Sequence, residues 1–447
     1  MFKDGLIYQE ARMATERELK EDLAMLNMYG ESEKGKGGPI LYSENEILYT
    51  DPGESHSMLV GDTGSGKTQG FIFPLIYSCA RADESMVIVD PKGELKNRMY
   101  DYLCSKDYDV ICLDFRQPES TKDRWNPLST VEKAYATGKS KKAQLLLNDL
   151  LQRLFNTRSA ADKDKFWNES AGMFGEGCFE LSHLFGEELS IANLLKWRYE
   201  RIPDGTMEEC FRKLPRESKA YQNLAGYFNL TAENTKSCIL STFDQLIRLF
   251  KSSEALTEML SSSSFDMEQI GVKKTAVFVI VPDEKTTFHF LATLFVGQCY
   301  ETMIEVAERY KGRLPVKTNF ILEEFCNMPT IDVGPMLTAA RSRNIRYHIV
   351  IQSYSQLIDK YGENIGKMLI DNCGNLIYLH SRELSFLTYV SQLAGKNEFG
   401  RPLLSPSRLL HLQKDETLIF HDRCYPIIVK GIPRMYEYPI YAQYMGK

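Results

Sequence analysis

The chain has 447 residues, 43% hydrophobic and 26% charged, enough apolar material for about three ordinary domains or one large domain with an insertion. This composition excludes collagen, a disordered chain and a disulfide miniprotein, and no window approaches 18 consecutive apolar residues, so no membrane-crossing helix is expected. A net charge of −6 excludes a generally basic nucleic-acid coat but leaves room for a local basic channel.

The first 23 residues are charged throughout and carry no signal-peptide apolar region. Periodicity predicts a helix over Ala11–Asn27, a Gly-rich loop at Gly35–Gly38, and short strands at Ile40–Tyr42 and Ile47–Tyr49. From Ser57 to about Leu128, apolar β-type runs alternate with helical stretches: Ser57–Val60, Met86–Val89 and Val110–Leu113. Such alternation is the mark of a parallel sheet wrapped by helices. Between about Ser129 and Gln269 the β-branched runs disappear and helical periodicity takes over, as in KKAQLLLNDLLQRLF, FWNESAGMFGEGCFELSHLF and TKSCILSTFDQLIRLF. Strand patterning then resumes at Ala276–Val281, Thr318–Leu322, Tyr347–Ile351, Asn375–Leu379, Thr417–Phe420 and Ile427–Val429. One α/β domain, residues 1–128 and 270–447, is therefore expected to be interrupted by an all-α domain at 129–269.

The ten cysteines form no CxxC or CxxH pair. Cys79, Cys112, Cys178, Cys238 and Cys299 stand in apolar stretches, so they are read as reduced, buried thiols of a cytosolic protein.

The strongest local signal is Gly61-Asp62-Thr63-Gly64-Ser65-Gly66-Lys67-Thr68, a GxxxxGK(S/T) loop preceded by an apolar strand and followed by a helical stretch. Its glycines let backbone N–H groups turn in on phosphates, at a helix N-terminus that adds positive potential. Lys67 is expected to reach the β- and γ-phosphates of ATP, and the Thr68 hydroxyl to bind Mg²⁺. Such a loop needs acidic partners at a neighbouring strand end, and Thr318–Leu322 runs into Glu323 and Glu324. Alternation along a strand sends the two carboxylates opposite ways, which assigns Glu323 to the Mg²⁺ shell and Glu324 to polarising the attacking water. Glu323 is one methylene longer than the usual Asp. Gln352, ending the strand Tyr347–Ile351, is placed to sense the γ-phosphate, and Arg341 or Arg343 to reach a neighbouring subunit's nucleotide.

In order along the chain, ARMATERE, GDTGSGKT, VDPKGEL, RWNPL, ENTKSCILSTF, ILEEFCNMP, ARSRNIRYHIVIQSYSQL and DNCGNLIYL resemble the coupling ATPases of type IV secretion and conjugative DNA transfer. The match covers nearly the whole soluble portion of such proteins. It implies a RecA-like motor domain that hydrolyses ATP with Mg²⁺, with Lys67 and Thr68 on the nucleotide and Glu323 and Glu324 as the Walker-B pair. It further implies Gln352 as sensor, Arg341 as the likelier trans finger, and Asp90-Pro-Lys92-Gly-Glu94 near the nucleotide or subunit interface. The partners implied are single-stranded DNA, a relaxase–DNA complex or protein substrates on the all-α domain, and the membrane-bound secretion channel, with a homo-hexamer as the assembly. Typical members carry N-terminal transmembrane helices that this chain lacks, so a bacterial cytoplasmic protein recruited to the inner membrane by a partner is expected. The rival readings are another ring-forming DNA translocase and a nucleotide-gated adaptor with little turnover.

Overall fold

The computed structural model describes residues 11–31, 33–156, 165–282, 288–331 and 333–445; the first ten residues of the charged N-terminal stretch lie outside them. The chain divides into one unit of Met1–Cys112 with Met267–Lys447 and a second of Leu113–Asp266.

In the first unit, three short strands, β1 (Ala24–Asn27), β2 (Ile40–Glu44) and β3 (Ile47–Thr50), form an antiparallel sheet in the order β1-β3-β2. The helix expected over Ala11–Asn27 is therefore corrected to a single short helix, Glu16–Lys20, followed by strand β1. Thr15 and Glu18 cap that helix reciprocally, and beyond it Ala24–Asn27 gains ladder hydrogen bonds to Ile47–Thr50. Strand pairing satisfies those backbone groups and buries Leu26, which overrides the weak helical periodicity.

The main sheet contains β4 (Ser57–Gly61), β5 (Ser85–Val89), β6 (Asp109–Asp114), β7 (Thr275–Ile280), β8 (Thr318–Leu322), β9 (Ile345–Ile351), β10 (Asn375–His380), β11 (Glu416–His421) and β12 (Ile427–Lys430). Their order is β12-β11-β10-β4-β9-β8-β5-β7-β6. From β10 through β7 every pairing is parallel, whereas β11 and β12 run antiparallel to their neighbours. Each of β4, β5, β7, β8 and β9 is buried along its whole length, as expected for parallel strands covered on both faces. Their C-terminal ends thus point to one edge, where open α/β sheets bind ligands.

The opposite, N-terminal edge is held by buried polar groups. Arg346 is 1% exposed and donates to Asn319 Oδ1 at 2.9 Å, to the Asp51 carbonyl at 2.9 Å and to the Glu84 carboxylate. His56 accepts the Tyr347 N–H on Nδ1 at 3.0 Å while its Nε2 lies 2.8 Å from the Leu337 carbonyl. Only the neutral ring satisfies both contacts, and burial, with Arg341 and Arg346 nearby, pushes its pKa down to about 4 from 6.5. Between those values the unfolded chain binds more protons than the folded one. The stability conferred by neutral His56 is therefore complete above pH 6.5 and is lost as pH falls towards 4, with a slope of at most about 1.4 kcal/mol per pH unit. The His56→Asn variant should show a shallower fall in melting temperature over that window; an unchanged slope would dismiss this assignment.

The second unit is helical throughout its longer elements, including Ser140–Asn156, Lys165–Leu184, Lys219–Phe228 and Glu233–Lys251. Phe174 stacks edge-on against Tyr227 and Phe243, joining three of these helices. The unit junctions fall after Cys112 and after Asp266, against 128 and 269 expected from sequence patterning. Of the thiols read as buried, Cys79, Cys112, Cys178 and Cys299 are so, but Cys238 is exposed. Cys238 lies on the solvent side of the helix Glu233–Lys251, whose buried face runs through Ile239, Phe243, Ile247 and Phe250.

Candidate nucleotide site

Five adjacent strands contribute to the C-terminal edge, in spatial order β10, β4, β9, β8 and β5. They end in His380, the Gly61–Thr68 loop, Gln352, the Glu323–Glu324 pair and Asp90.

The loop reverses direction through Gly64 (φ 80°) and Gly66 (φ 91°), conformations that a side chain would strain. A wide five-residue helical turn, Thr68–Ile72, follows and passes into the helix Phe73–Arg81. Pro74 lacks an N–H to offer the preceding turn, which accounts for the local widening. Lys67 is not the exposed loop lysine its setting implies: it is 9% exposed and curls back to donate to the Gly61 carbonyl at 2.6 Å and the Asp62 carbonyl at 3.0 Å. Burial pushes its pKa down, opposed by Glu323, Glu324 and Asp62. The ammonium is thereby stored inside the loop, on acceptors that a phosphate would replace.

The Thr68 hydroxyl donates to Glu323 Oε1 at 2.8 Å. Burial, reinforced by Asp90 and Glu324, pushes the Glu323 carboxyl up to about 7 despite that hydrogen bond. Asp90 is fully buried beside it, because the parallel register sets Val89 against Leu322. Its Oδ2 accepts the Lys96 N–H at 2.9 Å, while Oδ1 has no hydrogen-bond partner among the described residues, and burial pushes this carboxyl up to about 6. Thr68, Glu323 and the orphaned Asp90 oxygen are all hard oxygen donors, the set that suits Mg²⁺.

Glu324 faces elsewhere. The strand ends at Leu322, so the two carboxylates part not by strand alternation but because Glu324 adopts a left-handed backbone (φ 53°). Such a conformation is costly for a residue with a side chain and is a recurrent feature of functional sites. Glu324 Oε1 accepts from Gln352 Nε2 at 2.9 Å and Oε2 from Asn327 Nδ2 at 2.7 Å. Gln352 in turn accepts the Thr63 hydroxyl on Oε1 at 3.0 Å. A continuous relay, Thr63–Gln352–Glu324, therefore spans from the phosphate loop to the acidic pair.

Asp62 is bonded from the other flank. Its N–H donates to the His380 carbonyl at 3.0 Å, and its Oδ2 lies 3.2 Å from His380 Nδ1. The sequence reading missed His380 and Asn327; the polar strand-end rule that picked out Gln352 would also have picked out His380. Arg341 and Arg343 do not join this cluster. They occupy the turn preceding β9, at the N-terminal edge, on the order of 20 Å from the loop at ~3.3 Å per strand residue. Arg341 is exposed, while Arg343 donates to the Ala339 carbonyl at 2.7 Å.

Residues 3–398 match the family described as Type IV secretory system Conjugative DNA transfer. The chain belongs to this family. Among relatives, a probable conjugal transfer protein TraG of Sinorhizobium fredii is 21% identical over 433 residues, covering 86% of this chain and 62% of its own. The conjugal transfer protein TraG of Agrobacterium fabrum is 21% identical over 432 residues, covering 86% and 61%. The chain thus spans about three fifths of the length of these relatives. The plasmid coupling protein TrwB, solved with the ATP analogue ADPNP, superposes with a TM-score of 0.67 at 16% identity, over 94% of this chain and 93% of that one. VirB4 of Thermoanaerobacter pseudethanolicus superposes at 0.51 and 12% identity, over 90% and 97%. This family member therefore has the coupling-protein fold, a RecA-like α/β domain interrupted by a helical one. Among the described residues no helix is long and apolar enough to cross a membrane.

Proposed function

We propose that this chain is an ATP-hydrolysing motor that couples nucleotide turnover to the movement of DNA, or of a relaxase–DNA or protein substrate, towards a type IV secretion channel. The observation that carries the reading is the Thr63–Gln352–Glu324 relay beside the Thr68–Glu323 pair. It provides separate groups for phosphate, metal and water within one cluster. TrwB, of the same fold, is described with ADPNP and with ADP and Mg²⁺, which supports the choice of ligand.

On this reading the loop amides and Lys67 hold the β- and γ-phosphates, Lys67 exchanging its loop carbonyls for phosphate oxygens. Thr68 and Glu323, with Asp90 behind, would hold Mg²⁺, which when bound supplies charge neutralisation at the phosphates. Glu324 accepts a proton from the attacking water, and Gln352 fixes the carboxylate that does so. On this reading the helical part between the two stretches of the α/β domain engages the cargo, and the chain works as a homo-hexamer recruited to the inner-membrane channel by a partner. An adaptor with little turnover would have no use for a carboxylate held by two amide donors.

Phosphate release by the purified protein, with and without single-stranded DNA, tests the proposal. Lys67→Ala is expected to lose ATP affinity and turnover. Its melting temperature should change by only a few degrees, since the side chain packs on two carbonyls rather than in the apolar core. Turnover equal to the parent's would sink the phosphate-loop assignment, and a parent that binds ATP without hydrolysing it would favour the adaptor.

A further inference from the structure

The short segment at the end of β10, His380-Ser381-Arg382-Glu383, touches both flanks of the candidate nucleotide site. A register irregularity in the β10–β4 pairing falls between Tyr378 and His380, so that His380 rather than Leu379 stands opposite Gly61. Bulges of this kind re-aim side chains beside active sites, and here the result is the contact of His380 with Asp62. The segment is then locked: the Ser381 N–H donates to the Tyr378 hydroxyl at 3.0 Å, and the Glu383 N–H to Ser381 Oγ at 3.1 Å.

Glu383 closes on the residues immediately following Gln352. Its carboxylate accepts the Tyr354 N–H at 2.9 Å and the Ser355 N–H at 3.1 Å, both on Oε2. Its Oε1 accepts the Ser355 hydroxyl at 2.8 Å and also the Ser353 hydroxyl. These amides open the helix Tyr354–Tyr361 and have no partner within it, and a carboxylate there also meets the positive end of the helix. The hydrogen bonds together hold the Glu383 carboxyl below its ordinary pKa, although burial opposes them. An anion recruited from another strand end thus fixes the residues on which the Gln352 side chain is mounted.

We infer that Glu383 is a positioning residue for the hydrolytic step: by clamping Ser353–Ser355 it sets Gln352, and through it Glu324, against the phosphate loop. This role rests on the ATPase reading above. Glu383 itself touches neither the loop nor Glu324 among its hydrogen bonds; it acts through Gln352. Misplacing a catalytic group by about 1 Å costs up to about 100-fold in rate. Glu383→Gln keeps the size of the side chain but offers only one acceptor oxygen where the carboxylate offers two.

The test has two arms on the intact chain. In the first, amide hydrogen exchange is measured without nucleotide. The Tyr354 and Ser355 amides should exchange faster in Glu383→Gln than in the parent, with the Gly61–Thr68 amides unchanged. In the second, kcat of Glu383→Gln should fall roughly 10- to 100-fold with KM within about twofold, and Glu383→Asp, which keeps the charge, should recover part of it. The double variant Glu383→Gln/Gln352→Ala should be no slower than Gln352→Ala, because a residue acting only through Gln352 has nothing left to position. Unchanged exchange at Tyr354 and Ser355 overturns the clamp. Additive losses in the double variant, or a fall in kcat matched by a general loss of thermal stability, reduce Glu383 to a structural role and overturn the inference. A parent that binds but never hydrolyses ATP defeats the ATPase reading and this role with it, and is recognised by inactivity before any substitution is made.

Discussion

Glu324→Gln is expected to bind ATP with near-parental affinity and to hydrolyse it at least about 10²-fold more slowly, the scale on which a positioned general base contributes. The amide preserves the side chain's length, and one of its atoms can still meet Gln352 or Asn327, so the left-handed turn at Glu324 has reason to persist. What is lost is the negative charge proposed to take the proton. Glu323→Gln should behave differently. It keeps one oxygen for the Thr68 hydroxyl but removes the negative charge at the proposed metal site, so the defect should deepen at low Mg²⁺ and ease as Mg²⁺ is raised. Single-turnover phosphate release with separately measured nucleotide binding distinguishes the two. Loss of turnover in Glu323→Gln at saturating Mg²⁺ with normal turnover in Glu324→Gln would reverse the division of roles.

Arg341→Ala is expected to bind ATP and assemble normally yet to lose hydrolysis by roughly 10³-fold or more, the range found for arginines that offset charge on a transferring phosphoryl group. Arg341 is exposed in the turn preceding β9, at the edge of the sheet opposite its own phosphate loop, where its charge acts on His56. No movement short of unfolding brings it to Lys67 of the same chain. A catalytic role therefore requires a second copy, in which the N-terminal edge of one sheet approaches the loop of the next. Mixed assemblies of Arg341→Ala and Lys67→Ala subunits should then recover part of the activity, because some neighbouring pairs combine an intact arginine with an intact loop. Arg343 is the reserve candidate, though its tie to Ala339 would have to be given up. If mixing restores nothing and Arg343→Ala shows the described defect, the finger is Arg343; if neither variant loses activity, the ring mechanism falls.

Much of the architecture was legible in local patterns. Strand after strand of the main sheet lies within a residue or two of its apolar run, because a strand buried on both faces is apolar at most of its positions and no neighbour is needed to see it. The phosphate loop was equally plain, since its conformation is written by glycines at Gly64 and Gly66 whose positive φ other residues resist. The helical insertion showed itself by the disappearance of β-branched runs between Ser129 and Gln269. At the N-terminus local pattern was not enough: Ala24–Asn27 is a strand only because Ile47–Thr50 is there to pair with it.

The candidate site divides along the same line. Lys67, Thr68, Glu323, Glu324 and Gln352 were named by type and place, since each ends a strand or lies in a motif whose chemistry is set by a handful of consecutive residues. Which of them touch was decided by the strand order β10-β4-β9-β8-β5, which brings together residues separated by up to hundreds of positions. Thr63 reaches Gln352, Thr68 reaches Glu323, and His380 reaches Asp62 only in that order. The pKa shifts of Glu323 and Asp90 belong to the tertiary structure too, because desolvation depends on what covers a carboxyl, not on its neighbours in sequence. Chain-local patterning determined the elements and the chemical candidates; packing of distant segments decided their partners, their charge and the clamp of Glu383 on the turn that carries Gln352.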